Sequence, residues 1–346
     1  MNGLKLFGAP ATGFMEIDSF EWAISSDEEL YTIAGYKDNI MKILITGGAG
    51  FIGSHLSDAL LAAGHEITII DDLSSGTKDF LPKEAEFLKM DIRDEKLTDI
   101  FKERHFDIIY HEAAQTMVPA SIDNPYLDAD INISGMLRVL EAARKTDVQK
   151  IIFSSSAAVY GDNPALPLTE NLIPAPSSFY GLTKWMTEKY LALYHKIYEL
   201  SYTVLRYSNV YGPRQGADGE GGVIYIFAKS LAENKPITIF GDGRQTRDFI
   251  SVHDVISANL AALHQADGEI INISTETELS LNDLAAEMIA AAGRSRKLLH
   301  YGSPRTGDIY RSCLSNQKAK TLLHWTPSRN IKDGLTETIH FFQDRL

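Results

Sequence analysis

From Met41 onward, short β-branched apolar runs alternate with longer stretches in which apolar residues recur at helical spacing. Six of the short runs predict buried strands, at residues 42–46, 66–70, 107–111, 150–154, 202–207 and 269–273. The longer stretches predict helices, at residues 54–64, 134–146 and 183–200. Regular alternation of strand and helix is typical of a parallel sheet with helices on both faces. The pattern therefore predicts a doubly wound α/β fold.

The rhythm loosens after residue 208, where Pro, Gly and longer loops predict a smaller α/β lobe. The run at 269–273 interrupts that lobe, so we expect the two lobes to interleave. The predicted division is a large domain over 41–207, a segment returning to it at about 250–275, and a substrate-binding lobe over most of 208–346. Residues 1–40 carry two lysines and seven acids with little periodicity, which favours an N-terminal extension or leader. A small docking element is the alternative.

The composition limits the function. The chain has 346 residues, a net charge of −13 and 44% hydrophobic residues. A large core is therefore expected, whereas binding to nucleic acid or to an anionic membrane is not. The apolar runs are too short to span a bilayer. Cys313 is the single cysteine, which rules out an intramolecular disulfide and a cysteine-rich metal site. We expect a cytoplasmic protein with no metal centre.

The first predicted strand runs into a glycine-rich turn and a helix start, in "KILITGGAGFIGSHL". Gly47, Gly50 and Gly53 suit a tight turn that lets a pyrophosphate approach the backbone, with the helix N-terminus facing the phosphates. Asp71, at the end of the next strand, suits hydrogen bonds to the adenosine ribose. Its charge would repel a 2′-phosphate, which favours NAD over NADP. The turn indicates a Rossmann-like fold; an ordinary tight turn with Asp71 capping a loop is the alternative.

Two further positions suit the adenine end of the cofactor. Asp91 and Ile92 follow the next strand, where they could hold the edge and the face of the base. The alternative is that these two residues only end a strand and cap the following helix.

A tyrosine and a lysine stand four residues apart in "FYGLTKW". On a helix, Tyr180 and Lys184 would share one face, so the ammonium group could stabilise a phenolate that acts as a base. The spacing alone is common on surface helices. Here it lies 24 residues after Ser156 and downstream of the dinucleotide motif, which favours catalysis.

Several motifs now occur together and in one order: "TGGAGFIG", "HEAAQ", "SSSAAVYG", the Tyr180–Lys184 pair, "LRYSNVYGPRQ", "GDGRQTRDFISVHDV" and "RTGDI". Over about 300 residues from Met41, the chain resembles the extended short-chain dehydrogenases/reductases, specifically the NAD-dependent sugar epimerase/dehydratase family. The resemblance implies that Ser156 is the catalytic hydroxyl, working with Tyr180 and Lys184. It also implies further cofactor contacts, from Phe51, Ile52, Ala113, Ala114, Gln115, Ser154 and Tyr207, with Tyr180 and Lys184.

Two alanines follow the serine implied to be catalytic. Related 4,6-dehydratases carry an Asp–Glu pair where this chain has Ala157 and Ala158, and methyl groups cannot transfer protons. The resemblance therefore implies C4 epimerisation of a UDP-hexose through a transient 4-keto sugar. The alternatives are another nucleotide-sugar enzyme on this scaffold (a UDP-uronic acid epimerase, a reductase or a decarboxylase) and a non-catalytic protein that senses a dinucleotide.

The same resemblance implies a set of nucleotide-sugar contacts. These are Ser156, Asn209, Val223, Phe240, Arg247, Arg305, Asp308 and Ser312. Arg247 and Arg305 would clamp the diphosphate, because guanidinium groups bind phosphate in a bidentate manner. Alone, each arginine could equally form a surface salt bridge. Ser312 stands where a bulky residue would exclude an N-acetyl group, so we expect UDP-GlcNAc and UDP-GalNAc to be accepted, with or without UDP-Glc and UDP-Gal.

The chain departs from the family pattern at two positions. Glu112 stands where an apolar residue is usual, and Ser208 where Phe is common. The resemblance implies a homodimer formed by two long helices, at about 125–146 and 177–200.

Overall fold

The fold is taken from a computed structural model, which describes residues 40–216, 221–304 and 309–346. The expectations for residues 1–39 lie outside this part of the chain. Seven strands form one parallel sheet in the order β11-β6-β5-β4-β1-β2-β3. They are β1 (Lys42–Thr46), β2 (Glu66–Asp71), β3 (Glu86–Lys89), β4 (Ile108–His111), β5 (Lys150–Ser156), β6 (Ser201–Tyr207) and β11 (Glu269–Ile273).

Three two-stranded ladders complete the strands of the described residues. Their members are β7 (Asn209–Tyr211), β8 (Ile237–Phe240), β9 (Thr246–Arg247), β10 (Phe249–Ser251), β12 (Leu279–Ser280) and β13 (Leu299–Gly302). The ladders pair β7 with β10, β9 with β12, and β8 with β13.

The helices cover both faces of the sheet and build the smaller lobe. They are α1 (Phe51–Ala62), α2 (Leu97–Arg104), α3 (Val118–Asp123), α4 (Pro125–Ala129), α5 (Met136–Ala143), α6 (Phe179–Tyr198), α7 (Val223–Ala232), α8 (Val252–Ala262), α9 (Leu281–Ala291), α10 (Gln317–Leu322) and α11 (Ile331–Gln343). A π-helical segment, Asp130–Gly135, joins α4 to α5. Short 3₁₀ turns lie at Lys78–Phe80, Ala157–Tyr160 and Arg296–Leu298.

Burial on both faces explains the continuous apolar runs of the strands. In β1, Ile43 and Ile45 join the core beneath α1 and α8, while Leu44 points to the core beneath α2, α5 and α6. All three are fully buried, as expected when successive side chains alternate across a two-sided sheet. The fold class expected from the sequence, a Rossmann-like doubly wound sheet with a smaller lobe, is confirmed.

The six predicted strands lie within two residues of their predicted bounds. The strand expected before Asp91 is β3, whose bounds were not predicted; its two inner residues are half-buried and its ends, Glu86 and Lys89, are exposed, so its apolar pattern is weak. Helix α1 begins at Phe51, earlier than expected, because the glycine turn leads directly into it. Helix α6 begins at Phe179, where Ser178 caps it by accepting a hydrogen bond from the Gly181 N–H.

The C-terminal part of the chain contributes to both lobes. Helices α7, α9 and α11 and the β8–β13 ladder enclose a separate core. Helix α8 packs on α1, and β11 pairs with β6 at the sheet edge. Trp325, after α10, also lies in the core of the large sheet. The division of the chain into domains stays a prediction.

No helix among the described residues is long and apolar enough to cross a membrane.

Candidate active site

One cavity of about 750 Å³ lies along the carboxyl ends of the sheet strands. Its wall includes the glycine turn, Asp71, Ser156, Tyr180 and Arg247, so groups expected for cofactor, catalysis and substrate share one space. Strand β1 lies between β4 and β2 in the sheet, so the chain winds in both directions from it. Open α/β sheets bind ligands at such a point, beyond the carboxyl ends of the strands.

The glycine turn leaves no room for side chains. Gly47 has a φ of +74°, and a Cβ there would lie 2.5 Å from the Ala113 nitrogen. A Cβ on Gly53 would lie 2.3 Å from the Gly47 carbonyl oxygen. Helix α1 begins just after Gly50 and points its unpaired N–H groups at the cavity end of β1. This cradle fits the pyrophosphate of a dinucleotide.

Asp71 is held in place by the backbone at the end of β2. Its carboxylate accepts hydrogen bonds from the Ala49 N–H at 3.0 Å and from the Leu73 N–H at 2.8 Å. Burial raises the pKa of this carboxyl group, and the two backbone donors oppose the rise. Both oxygens keep accepting capacity, which suits the hydroxyl groups of a ribose.

Asp91 and Ile92 also line the cavity, but Asp91 is engaged by another side chain. The Arg93 guanidinium group contacts Asp91 at 2.5 Å and Asp130 at 2.6 Å. The hydrogen bonds from Arg93 hold the pKa of Asp91 below its usual value. The role of this pair at the adenine stays a prediction.

Ser156 and Tyr180 both face the cavity, from different elements. Ser156 is the last residue of β5, and its hydroxyl oxygen accepts the Ala158 N–H at 3.2 Å. Tyr180 lies in the first turn of α6, and Lys184 follows one turn later on the same helix. The predicted hydroxyl, phenol and ammonium groups are therefore brought to one place.

Lys184 is buried next to the tyrosine. Its Nζ donates to the Ser154 carbonyl oxygen at 2.8 Å and lies 5.9 Å from the centroid of the Tyr180 ring. Burial lowers the pKa of Lys184 to about 8, against the opposing charges of Glu112, Asp128 and Glu188. Ser154, predicted as a cofactor contact, thus holds the lysine through its backbone.

Both alanines after Ser156 also line the cavity, in the Ala157–Tyr160 turn. The acid and base that a 4,6-dehydratase places after its hydroxyl residue are therefore absent from these two positions, as the sequence indicates. The neighbouring cofactor positions Phe51, Ile52, Ala113, Ala114, Gln115 and Tyr207 belong to the same wall.

The predicted sugar contacts divide into three groups. Asn209, Arg247 and Ser312 line the cavity. Val223 and Phe240 are not among its wall residues: Val223 begins α7 just after the wall residues Gly221 and Gly222, and Phe240 ends β8 with 37% of its surface exposed. Arg305 and Asp308 lie outside the described residues.

One polar network behind the wall was missed by the sequence reasoning. Asp128 accepts hydrogen bonds from Gln115 at 2.7 Å and from Thr183 at 2.9 Å. Asn132, in the π-helical segment, accepts from the Gln115 N–H at 2.8 Å and donates to the Thr183 hydroxyl at 3.2 Å. The network connects a cavity residue to α6 next to Lys184. Polar residues four apart in "DADIN" were its only sequence signal.

A buried ion pair was missed as well. Arg206 of β6 contacts Glu188 of α6 at 2.6 Å, and both side chains are at most 2% exposed. Ser155 donates to Glu188 at 2.7 Å, and Arg206 donates to the Tyr160 hydroxyl at 2.8 Å. The pair connects the helix of Tyr180 to β6, and Ser155 connects the same helix to β5, the strand that ends at Ser156. An arginine within an apolar strand was the available signal.

Among the described residues, no group of three or more His, Cys, Asp or Glu side chains is arranged to hold a metal ion.

A model of the NAD dependent epimerase/dehydratase family matches residues 43–274. The chain belongs to this family, which confirms the resemblance and makes the protein an NAD-dependent enzyme. The glycine cradle and Asp71 are the residues that fit NAD in this structure.

Individual relatives align with most of this chain and with nearly all of their own length. The UDP-glucose 4-epimerase of Mycolicibacterium smegmatis is 40% identical over 312 residues, which span 88% of this chain and 99% of the relative. The crystal structure of a UDP-glucose 4-epimerase with UDP-glucose, from Thermotoga maritima, is 41% identical with a TM-score of 0.86, covering 88% of this chain and 99% of that one. A UDP-N-acetylglucosamine 4-epimerase from Methanobrevibacter ruminantium, in complex with UDP-N-acetylmuramic acid, is 33% identical with a TM-score of 0.84, covering 89% and 100%.

Proposed function

We propose that the protein interconverts the C4 epimers of a UDP-hexose through a transient 4-keto sugar. The observation that carries this proposal is the single cavity in which Ser156 and Tyr180 face the glycine cradle, while alanines occupy the two positions after the serine. The relatives named above support the reaction class, since they are 4-epimerases of UDP-sugars.

The residues of the chain have separate tasks in this reaction. Tyr180 removes the proton of the C4 hydroxyl group and later returns it, and Ser156 hydrogen-bonds the same oxygen. Lys184 stabilises the phenolate of Tyr180 by its positive charge. Bound NAD supplies the reversible hydride chemistry at C4. The glycine turn and Asp71 hold the cofactor, which is regenerated in each turnover.

Inversion at C4 requires that the keto sugar present both faces to the same residues. A cavity of about 750 Å³ lies within the range of pockets that hold whole ligands. Its small wall residues, Ala157, Ala158 and Ser312, leave space around the ring. The nucleotide part of the substrate is held in place while the sugar turns.

Contacts from the smaller lobe hold that nucleotide part. Asn209 and Arg247 are assigned to the diphosphate from within the cavity wall. Val223, Phe240, Arg305 and Asp308 are assigned to the uridine and the second phosphate clamp.

Ser312 sets the width of the pocket beside the sugar. Its small side chain lines the cavity, so UDP-GlcNAc and UDP-GalNAc are assigned as substrates, with or without UDP-Glc and UDP-Gal. The similarity to a UDP-N-acetylglucosamine 4-epimerase supports this assignment.

The test is to incubate the purified protein with UDP-GlcNAc, without added NAD, and to identify the products by proton NMR. Formation of UDP-GalNAc without net NADH is the expected result. If UDP-Gal turns over but UDP-GlcNAc does not, the assignment of Ser312 is wrong. Inertness toward both pairs, with NAD added, contradicts the proposed reaction; turnover of a UDP-uronic acid would then identify the alternative epimerase.

We also propose a homodimer in the cytoplasm. Helix α6 exposes Leu182, Met186, Leu193 and Ile197, which are spaced by four, seven and four residues and so form one apolar stripe. Helices α3 and α4, which contact α6, expose Ile122 and Tyr126 beside it. An exposed apolar patch of this kind suits a second copy that packs the same residues around a two-fold axis.

Light scattering tests the assembly. We expect the pair Leu193→Glu and Ile197→Glu to convert a dimer into a monomer, whereas Ile226→Glu, an exposed residue on α7, leaves the dimer intact. A wild-type monomer at micromolar concentration contradicts the proposal.

A further inference from the structure

Glu112 carries a charge near the reacting groups that the proposed reaction does not use. It follows β4 directly and lines the cavity. Its carboxylate accepts a hydrogen bond from the Ser154 hydroxyl at 2.5 Å. The backbone carbonyl oxygen of the same residue, Ser154, accepts a hydrogen bond from the Lys184 ammonium group at 2.8 Å. One residue thus bridges an acid and the base-stabilising lysine.

We propose that Glu112 is a positioning residue that keeps Lys184 protonated and thereby extends the reaction to higher pH. This inference rests on the proposed function of Tyr180 and Lys184, and it assigns to this chain a control of that pair. Glu112 acts on Lys184 through its charge, because the hydrogen bond of the lysine goes to the Ser154 carbonyl oxygen and not to the carboxylate.

The surroundings of Lys184 make an additional negative charge effective. Lys184 is 4% exposed, and its Nζ lies 4.8 Å from the centroid of the Phe153 ring. Little water is present to screen a nearby charge, so electrostatic interactions are strong. Among the groups that raise the pKa of Lys184, Glu112 has the largest effect, followed by Asp128 of α4 and Glu188 of α6.

The other carboxylates facing the lysine are already engaged. Asp128 accepts from Gln115 and Thr183, and Glu188 pairs with Arg206. The remaining titratable neighbours are Tyr180 on α6 and His111 on β4, whose pKa is lowered to about 3 by burial and by the lysine.

Burial raises the pKa of Asp128, and it raises the pKa of Glu112 to about 6, while the Ser154 hydroxyl and Lys184 oppose the rise at Glu112. Tyr207 and Tyr110 face it as neutral phenols, since burial raises the pKa of both. Glu112 is ionised at pH 7 and above, the range in which Lys184 is close to losing its proton.

The direction of the shift expected on removing the Glu112 charge follows from the pKa values of Lys184 and Glu112. Lys184 loses its proton as the pH rises through about 8, and Tyr180 then loses the charge that stabilises its phenolate. Removing the negative charge of Glu112 lowers the pKa of Lys184 further. The alkaline limb of the kcat profile of Glu112→Gln should move down by about one pH unit, the size typical of one nearby charge.

The experiment measures two quantities on the NAD-loaded protein. One is the pH profile of kcat, and the other is the titration of the Lys184 side chain by carbon NMR of labelled lysines, assigned with Lys184→Arg. The second needs no turnover, so it stays informative if the proposed reaction is wrong. Both should shift to lower pH in Glu112→Gln, which is nearly isosteric.

Two controls separate charge from packing. Glu112→Asp keeps the negative charge in a shorter side chain, so the Lys184 titration should shift less than in Glu112→Gln. Glu84→Gln, an exposed change outside the site, should leave both curves in place. An unshifted Lys184 titration in folded, NAD-loaded Glu112→Gln, or an equal shift in Glu112→Asp, overturns the proposal.

Discussion

The two sides of the cavity are built in different ways. On the sheet side, β5 and β6 pair over seven consecutive positions, ending with Ser156 opposite Tyr207. On the other side, Arg247 lies in a two-residue strand, and the strand pairing next to Ser312 is a single bridge between Thr246 and Arg311. Long ladders fix atoms firmly, and short ones tolerate change. We infer that the sheet determines the chemistry and that the smaller lobe determines the sugar.

The largest effect is expected on the sheet side, at the phenol. Tyr180→Phe should lower kcat by about a thousandfold on every accepted sugar, because loss of a general acid–base group costs roughly 10²–10⁴-fold. Bound NAD, measured after denaturing release from the purified variant, should stay near the wild-type amount. A variant that turns over one sugar at the wild-type rate breaks the division of tasks between the two sides.

A change in the lobe should instead separate the substrates. Ser312→Tyr should reduce kcat/KM for UDP-GlcNAc about a hundredfold relative to UDP-Glc, because a bulky ring fills the space around the sugar. The ratio of the two rates, taken in one competition assay, is the measurement. Ser312→Thr, a small change, is the matched control and should keep the ratio. Equal loss on both sugars contradicts the assignment of specificity to the lobe.

The smallest effect is expected when one glycine from each side of the cavity is replaced by alanine. Gly53→Ala forces a Cβ to within 2.3 Å of the Gly47 carbonyl oxygen, whereas Gly222→Ala, at the start of α7, meets nothing closer than 3.7 Å. Overpacking of the first kind typically costs about 1–3 kcal/mol. The midpoint temperature of thermal unfolding should therefore fall for Gly53→Ala only. A larger loss for Gly222→Ala would show that the lobe is packed as tightly as the cradle.

The sheet side could be predicted from the sequence because its signals are local. Gly47, Gly50 and Gly53 stand between a strand and a helix within a few positions, and Tyr180 and Lys184 share a helix face by spacing alone. Both depend on geometry that repeats along the chain.

The networks behind the wall could not be predicted in the same way. Asn132 in the π-helical segment and Thr183 in α6 lie 51 residues apart, so no local pattern predicts the hydrogen bond between them. The Glu188–Arg206 pair joins a helix to a strand, and no period along the chain relates them.

The lobe side resists prediction for a further reason. Phe240 ends a short strand that pairs with a segment sixty residues away in sequence, so the position of its ring depends on tertiary packing. The resemblance assigned it to the base, yet it is not part of the cavity wall.

In the proposed reaction, C4 of the sugar is oxidised and then reduced within one cavity. The most direct measurement is epimerisation of UDP-GlcNAc in heavy water, with proton NMR of the sugar ring in both products. We expect that UDP-GalNAc forms and that C4 keeps its original hydrogen, because the hydride never exchanges with solvent. Deuterium at C4 would instead show that the carbon is inverted by proton transfer, which contradicts the proposed reaction.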